Sequence, residues 1–290
     1  MSTSPKVSVC VPVYNGGATI ADTLRSVLAQ SLTDFELVVV DSASSDATAA
    51  VVDTVRDSRI RFIHHDTNLG MGDNWNRALR DCRGEYIKVL SADDIIYRDC
   101  LALQTAILDD PHHRNTVLVG GRRDIIDDDG NILMADRGLA GPDATYPGKA
   151  VIRKMVRGGR NYIGEPLTGL YRRSAFEQTT GYDLNPTYCT DMSIWFKLLL
   201  LGDFHLIGKP IGAFRVGAGS TSLGIARSQW RQGVDFFRAQ QNLMPDVLSP
   251  GDVRVGYFGW TRDAVLRQAF YLYLKLRRPR EVSPAKRQAT

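Results

Sequence analysis

Four carboxylates are placed where they could do chemistry. Asp41 closes the apolar run FELVVV, Asp93 and Asp94 follow YIKVL, and Asp191 opens the apolar stretch MSIWFKLLLL. An acid at the carboxyl end of a buried strand can ligate a hard divalent cation or take a proton from a substrate hydroxyl. Two adjacent acids repel one another, so Asp93 and Asp94 would each favour a cation or a hydrogen-bond donor nearby. A plainer role is open to every one of them, because aspartate is favoured at helix N-caps. Asp93-Asp94 could cap a helix over IIYRDCLALQ, Asp41 the helix after SASSD, and Asp191 the helix it precedes.

Other catalytic signatures do not occur. There is no GxxxxGK[ST], HExxH or GxSxG, and the nearest approach to GxGxxG, GMGDNW from Gly70 to Trp75, lacks the final glycine. His64-His65 and His112-His113 are adjacent pairs whose rings point apart on a strand, which favours surface histidines over a shared ligand. Cys10, Cys82, Cys100 and Cys189 are scattered without metal spacing and read as free thiols of a reducing compartment. A calcium loop with Gly130 in its sixth place would begin at Ile125, which is no ligand, so Asp129-Gly130 reads as a hairpin turn.

The elements that must position the acids are legible from periodicity. Val7 to Val13 is a continuous apolar strand, and residues 18–31 set Ile20, Leu24, Val27 and Leu28 at helical spacing. Phe35 to Val40 predicts a second strand, Asp46 to Arg56 a helix, Ile60 to Ile63 a third strand, and Glu85 to Leu90 a fourth, reached through a helix holding Trp75, Ala78 and Leu79. This alternation predicts an α/β fold with parallel strands and helical crossovers, in which ligands bind beyond the carboxyl ends of the strands. Asp41, Asn68, Asp93 and Asp94 fall there. Further on, Thr116 to Gly121 predicts a strand, residues 191–201 a buried helix stopped by Gly202, and FHLIG and IGAFRV two separate strands.

The 290 residues carry 36 Lys+Arg against 32 Asp+Glu, a net charge of +4, with 43% apolar and 23% charged residues. That is globular composition, and the charge bias is too weak to argue for nucleic acid. MSTSPK and the short run broken by Pro12 do not read as a signal peptide, and no stretch predicts a membrane span, so a cytoplasmic protein is expected. Residues 253–280 mix aromatic side chains with arginines. Such a helix suits either packing on the domain or a peripheral contact with the cytoplasmic face of a membrane.

The order of motifs resembles family 2 glycosyltransferases. PVYN (Pro12 to Asn15), VVDSASSD (Val39 to Asp46), NLG (Asn68 to Gly70) and GEYIKVLSADD (Gly84 to Asp94) look like the family's nucleotide-sugar half. GEPLTGLYRRSAFEQTTGYD (Gly164 to Asp183) and CTDMSIWFKLLLLG (Cys189 to Gly202) look like its acceptor half. The resemblance implies a GT-A type, Rossmann-like mixed sheet flanked by helices. It spans residues 1–220, divided near 121 into a nucleotide-sugar half and an acceptor half (122–220), with 221–290 as a helical C-terminal extension.

By the same resemblance, Pro12, Tyr14 and Asp41 hold the nucleobase and ribose, and Asn76 falls where the family carries an asparagine. The family's Asp-x-Asp becomes Ser91-Ala92-Asp93, leaving Asp93 to ligate Mg²⁺ or Mn²⁺, with Ser91 a weaker contact and Asp94 orienting neighbours. Asp191 is the implied catalytic base, and Gly164, Glu165 and Thr168 line the acceptor side. Trp75 and Gly217 stand where relatives commonly have arginine and histidine. The implied reaction is inverting transfer from a nucleoside-diphosphate sugar donor to a glycan or lipid-linked acceptor in cell-surface glycan, polysaccharide or glycolipid assembly. A nucleotide-sugar-binding protein without transfer activity and a membrane-surface interaction module are the alternatives. The sequence leaves the oligomeric state open.

Overall fold

A computed structural model of the chain describes residues 4–68, 70–183, 187–217 and 228–277, with side chains up to residue 270 apart from those of residues 71 and 187. Strands β1 (Val7–Val13), β2 (Phe35–Ser42), β3 (Ile60–His65) and β4 (Tyr86–Val89) form a parallel half-sheet in the order β3-β2-β1-β4. Side-chain alternation explains why this half is layered on both faces. Val7, Val9, Val11 and Val13 of β1 join Leu37 and Val39 of β2 in a core beneath helix α1 (Ile20–Leu28). Cys10, Val38 and Val40 face the opposite core, where helix α3 (Met71–Arg80) lays Trp75, Ala78 and Leu79. Pro12 is tolerated inside β1 because the β4 ladder has already ended at the Cys10–Val89 pair.

The sheet continues through β9 (Leu170–Arg172), β6 (Thr116–Ile126), β10 (Asp203–Arg215) and the two-residue β5 (Ile95–Ile96). β9 runs antiparallel to both β4 and β6, β6 and β10 are parallel, and β7 (Ile132–Arg137) and β8 (Ala144–Tyr146) add antiparallel edges. The sheet is therefore mixed, as the GT-A resemblance implies. FHLIG and IGAFRV are not two strands. They are halves of the single strand β10, whose register shifts between Ile207 and Pro210 and again between Pro210 and Ala213 let it pass Lys209-Pro210 without a turn. The Asp129-Gly130 hairpin does form between β6 and β7, with Gly130 at φ +85°.

Three cap assignments differ from the sequence reading. Helix α2 (Thr48–Thr54) is capped by Asp46, whose Oδ1 accepts from the Thr48 N–H at 2.9 Å, so Asp41 is free of that duty. No helix starts after Asp94, because β5 intervenes and α4 (Cys100–Asp109) begins after Asp99. Asp191 lies inside the first turn of α7 (Thr190–Leu201), beyond the position that would cap it. All four cysteines are buried and unbridged.

Helices α8 (Gln229–Leu243) and α9 (Pro250–Arg277) pack on the domain beside α5 (Gly148–Gly158). Trp260 is 1% exposed and joins Phe236 and Phe237 in the core that also holds Trp195 and Phe204. Two glycines permit this approach. A Cβ on Gly159 (φ +58°) would sit 2.1 Å from the Trp260 nitrogen, and one on Gly259 would sit 2.3 Å from the Gly158 carbonyl oxygen. Among the described residues no helix is long and apolar enough to cross a membrane.

The start of α9 is a reciprocal cap. The Ser249 N–H donates to Asp252 Oδ2 at 3.0 Å and the Asp252 N–H donates back to Ser249 Oγ at 3.1 Å. Arg157 Nη1 and Arg153 Nε of α5 reach the same carboxylate at 2.8 and 3.2 Å. Although Asp252 is buried, these donors hold its carboxyl well below the usual range. Asp252→Ala should therefore cost about 1–3 kcal/mol in denaturant unfolding at pH 7. A depressed folded-state pKa places that contribution above the ordinary carboxylate range, so the gap between wild type and variant should close as pH falls below about 4.

Candidate active site

The carboxyl ends of β1, β2 and β4 open into a cleft of about 1020 Å³. Pro12, Tyr14, Ser42, Asn68, Ser91, Ala92 and Asp93 line one part of it, and Asn161, Glu165, Asp191 and the α9 residues Leu266, Arg267 and Phe270 line another. Of the three acid-bearing segments the sequence singles out, two thus deliver a carboxylate, Asp93 and Asp191, to the same cavity, and Asp41 does not line it. Tyr14 is 52% exposed at the cleft, leaving its ring face available for stacking.

Asp93 follows β4, held by the turn in which the Asp94 N–H donates to the Ser91 carbonyl at 3.2 Å. Arg215, at the end of β10, ties that turn to the β6–β7 hairpin. Its Nε donates to the Asp93 carbonyl at 2.9 Å, and its Nη1 to the carbonyls of Asp127 and Asp128 at 3.1 and 2.8 Å. The arginine is itself 5% exposed and lines the cleft. Asp94 lies fully buried behind the turn, where Oδ1 accepts from the Arg215 N–H at 3.0 Å while Oδ2 has no hydrogen-bond partner among the described residues. Burial, reinforced by the neighbouring Asp93 charge, raises its carboxyl pKa well above the ordinary value.

Burial also raises the Asp93 pKa. Arg215 opposes this and the Asp128 carboxylate adds to it. Asp128 lines the cleft as well, filling the space a side chain at position 217 would need, since a Cβ there would overlap its Oδ1. A carboxylate raised by burial and by a second acid is stabilised by a cation, and one or two carboxylates plus substrate phosphates suit Mg²⁺ or Mn²⁺. The residues present therefore fit a metal shared with a ligand. Among the described residues no three His, Cys, Asp or Glu side chains group into an all-protein cage.

Asp191 is delivered by the first turn of α7, where the helix dipole favours the charged form. Burial and the nearby Glu165 charge outweigh that, and outweigh Arg123, so its pKa is pushed up to about 8. Glu165 is clamped by Arg123 through Nη2–Oε1 at 3.0 Å and Nε–Oε2 at 2.5 Å. The segment bearing Glu165 is wired from both sides: Trp195 Nε1 and Asn161 Nδ2 donate to the Gly164 carbonyl at 3.0 and 2.9 Å, and Thr168 Oγ1 donates to the carbonyls of Ile163 and Glu165 at 2.9 and 2.8 Å.

Gly164 and Thr168 therefore shape the wall rather than form it, as does Asp41, whose buried carboxylate accepts from Ser44 and meets His64 Nδ1 at 2.9 Å. Asn76 faces away from the cleft, and both ends of its amide are taken by the Tyr182 backbone, at 2.8 and 2.9 Å. Trp75, in contrast, lines the cleft edge-on to Tyr182. The Arg172 guanidinium serves the fold, donating to the carbonyls of Thr116 and Leu108.

Arg123, Asp128, Arg215 and Arg267 are cleft residues that the sequence does not single out for the site. Asp128 carries a signal, because it belongs to the same acidic turn that invites a calcium reading. The arginines carry none, as nothing in their local spacing sets them apart from surface charge.

The sequence model of Glycosyl transferase family 2 matches residues 8–180. The chain belongs to this family. A relative from Mycobacterium tuberculosis, itself uncharacterized, is 29% identical over 88% of this chain and 81% of its own length. An uncharacterized glycosyltransferase of Rickettsia felis is 30% identical over 69% of this chain, which spans only 32% of that protein. Among solved structures, Staphylococcus aureus TarS 1–349 superposes with a TM-score of 0.65 at 20% identity, covering 89% of this chain and 73% of that one. The mannosyltransferase PcManGT from Pyrobaculum calidifontis, solved with GDP-Man and Mn²⁺, superposes with a TM-score of 0.57 at 20% identity over 96% of this chain and 82% of its own. These two likenesses establish the GT-A fold.

The residues that follow Gly217, 218–227, lie outside the described residues, as do Leu69 of the NLG motif and the far end of the basic tail.

Proposed function

We propose that this family 2 member is an inverting glycosyltransferase that moves a sugar from a nucleoside-diphosphate sugar to an acceptor hydroxyl in the assembly of a cell-surface glycan, polysaccharide or glycolipid. The observation that carries it is the delivery of Asp93 and Asp191 to one cleft, the second with its pKa pushed up to about 8. Relatives and fold neighbours support the class. The succinoglycan biosynthesis protein ExoO of Rhizobium meliloti is 41% identical over 33% of this chain, and TarS has been solved with UDP-GlcNAc.

In this reading the nucleotide lies along the strand ends, with its base against Pro12 and the exposed Tyr14 ring. Asp41 acts from behind, its carboxylate fixed by Ser44 and His64. Asp93, with Asp128 beside it, would hold Mg²⁺ or Mn²⁺. When bound, that ion would carry negative charge on the diphosphate.

Asp191 takes the proton of the acceptor hydroxyl as its oxygen bonds to the anomeric carbon. The bond from that carbon to the diphosphate oxygen breaks, its electron pair leaves with the nucleoside diphosphate, and attack from the opposite face inverts the configuration. A carboxylate near pKa 8 is a stronger base than an ordinary aspartate and still ionises in the neutral range. Glu165, held in place by Arg123, keeps a negative charge beside it that sustains that basicity, while Arg123 itself opposes it in part.

The test is calorimetric titration of the protein with UDP, GDP and dTDP, each with and without Mn²⁺. Metal-enhanced binding of one nucleotide is expected, and the base that binds names the donor class. Binding of none would favour a fold that has left the chemistry behind.

A further inference from the structure

The C-terminal helix brings to the cleft a guanidinium with two N–H donors that neither the described fold nor the proposed reaction uses. Arg267 of α9 stacks over the rings of Trp260 and Tyr188, its Cζ 4.9 and 5.2 Å from their centroids, and all three residues line the cleft. Its Nε and Nη2 are buried and have no hydrogen-bond partner among the described residues. The acid one turn earlier does not answer it: Asp263 is taken by Arg160 through Nε–Oδ2 at 2.5 Å and Nη2–Oδ1 at 2.6 Å, with Arg262 3.6 Å from Oδ1.

A buried N–H pair on a charged fork is costly to leave unmade, and the aromatic faces beneath it satisfy the cation without satisfying its donors. The Nε/Nη2 edge of guanidinium matches two oxygens of a phosphate or carboxylate. The position fits the acceptor end of the cleft. Tyr188, under the guanidinium, stands three residues before Asp191 and lines the same cleft, and the buried Cys189 thiol between them in sequence is raised further by Asp191 and pulled the other way by Arg267.

We infer that Arg267, seated on Trp260 and Tyr188, is an oxyanion subsite for the acceptor, and that the acceptor therefore carries a phosphate or carboxylate group close to the hydroxyl it offers to Asp191. The assignment of this end to the acceptor rests on the transferase reading; the oxyanion site itself does not. The ring faces hold the fork in place, so a neutral acceptor can offer it only uncharged oxygens and not the charge-assisted two-oxygen pair the fork matches. Specificity then comes from the penalty a neutral analogue incurs as much as from the bond an anionic one makes.

The experiment titrates the full chain with inorganic phosphate and, separately, with glucuronate, in the presence and absence of a saturating nucleoside diphosphate. Wild type is compared with R267M, which keeps apolar bulk over Trp260, and R267K, which keeps charge without the fork. Saturable binding of one oxyanion alongside the nucleotide is expected. Its affinity should fall about 10–100-fold in R267M, the loss corresponding to charge-assisted hydrogen bonds, and by less in R267K. The arm that binds identifies phosphate or carboxylate as the group recognised.

Absence of saturable binding in both arms, equal affinity in R267M, or displacement of the oxyanion by nucleotide would each overturn the subsite. A melting temperature for R267M matching wild type ties any loss to the site rather than to unfolding, and R267K supplies the comparison if R267M melts early. If no nucleoside diphosphate binds, the comparison of wild type with R267M still decides the subsite, and the failure counts against the transferase reading alone.

Discussion

Asp191→Asn should abolish sugar transfer while leaving nucleotide binding at its wild-type strength. The substitution keeps size and hydrogen-bonding capacity at the start of α7 and removes only the ability to accept a proton. Loss of a general base lowers turnover by about 10²–10⁴-fold. Calorimetry with the nucleotide and a product assay on the same sample separate the two effects. Turnover within a few-fold of wild type would take the base role away from Asp191.

The raised pKa adds two signatures that a merely structural aspartate would not give. Transfer by wild type should climb as pH rises through about 8, because the ionised fraction of the base is small at neutral pH and becomes the larger part only above that value, and the climb should vanish from whatever activity the variant retains. Stability should respond in the opposite sense. A folded-state pKa raised above the unfolded one means the native state binds the extra proton between roughly pH 4 and 8, so the wild type loses stability as pH climbs through that window. The amide that Asp191→Asn introduces cannot ionise, so the variant should melt higher than wild type at pH 8, by about 2–4 °C for each ~1 kcal/mol relieved, with the difference gone near pH 4. Equal melting temperatures at pH 8 would mean that the carboxylate is not confined as its surroundings indicate.

The N-terminal part of the sheet is legible because its signals are local. A run such as VSVCVPV, buried on both faces, can only be an interior strand, and strand ends mark a binding crevice whatever the ligand. Asp93 and Asp191 can be nominated for the same reason, each abutting an apolar segment. The errors share a different cause. Sequence reading divides β10 at Lys209-Pro210 because nothing local shows that neighbouring β6 pairs with it on both sides of that pair and holds a bulged strand together.

Asn76 looks like a ligand from its place on α3, but its amide closes on the Tyr182 backbone, 106 residues away. The aromatic and basic content of α9 suits both packing and membrane contact. Tertiary structure shows why both patterns are present: Trp260 is buried against α8, while Phe258 on another face is 81% exposed. The cleft arginines converge from β6, β10 and α9, and a convergence of that kind leaves no trace in spacing along the chain.

Removing the Asp93 carboxylate should have the second large effect, and on a different observable. Asp93→Ala is expected to reduce Mn²⁺-dependent nucleotide affinity by at least ~10–100-fold, the penalty seen when even an outer group of a metal site is removed. Binding without metal should stay as it is. The turn itself should survive, because Arg215 grips it through the Asp93 carbonyl oxygen and the Asp94 carboxylate, neither of which the substitution touches.

Asp128→Ala is the informative companion. If the second acid helps hold the cation, its loss should also weaken the metal-dependent part, and by less than the loss of Asp93, which the motif resemblance sets at the last acid of the family's metal triplet. Were Asp128 only a repulsive neighbour, its removal would instead ease ionisation of Asp93 and leave Mn²⁺ enhancement equal or stronger. An Asp93→Ala protein that still binds nucleotide more tightly with Mn²⁺ by the wild-type factor would move the metal site away from the end of β4. The proposed donor geometry would then have to be rebuilt around another acid of the cleft.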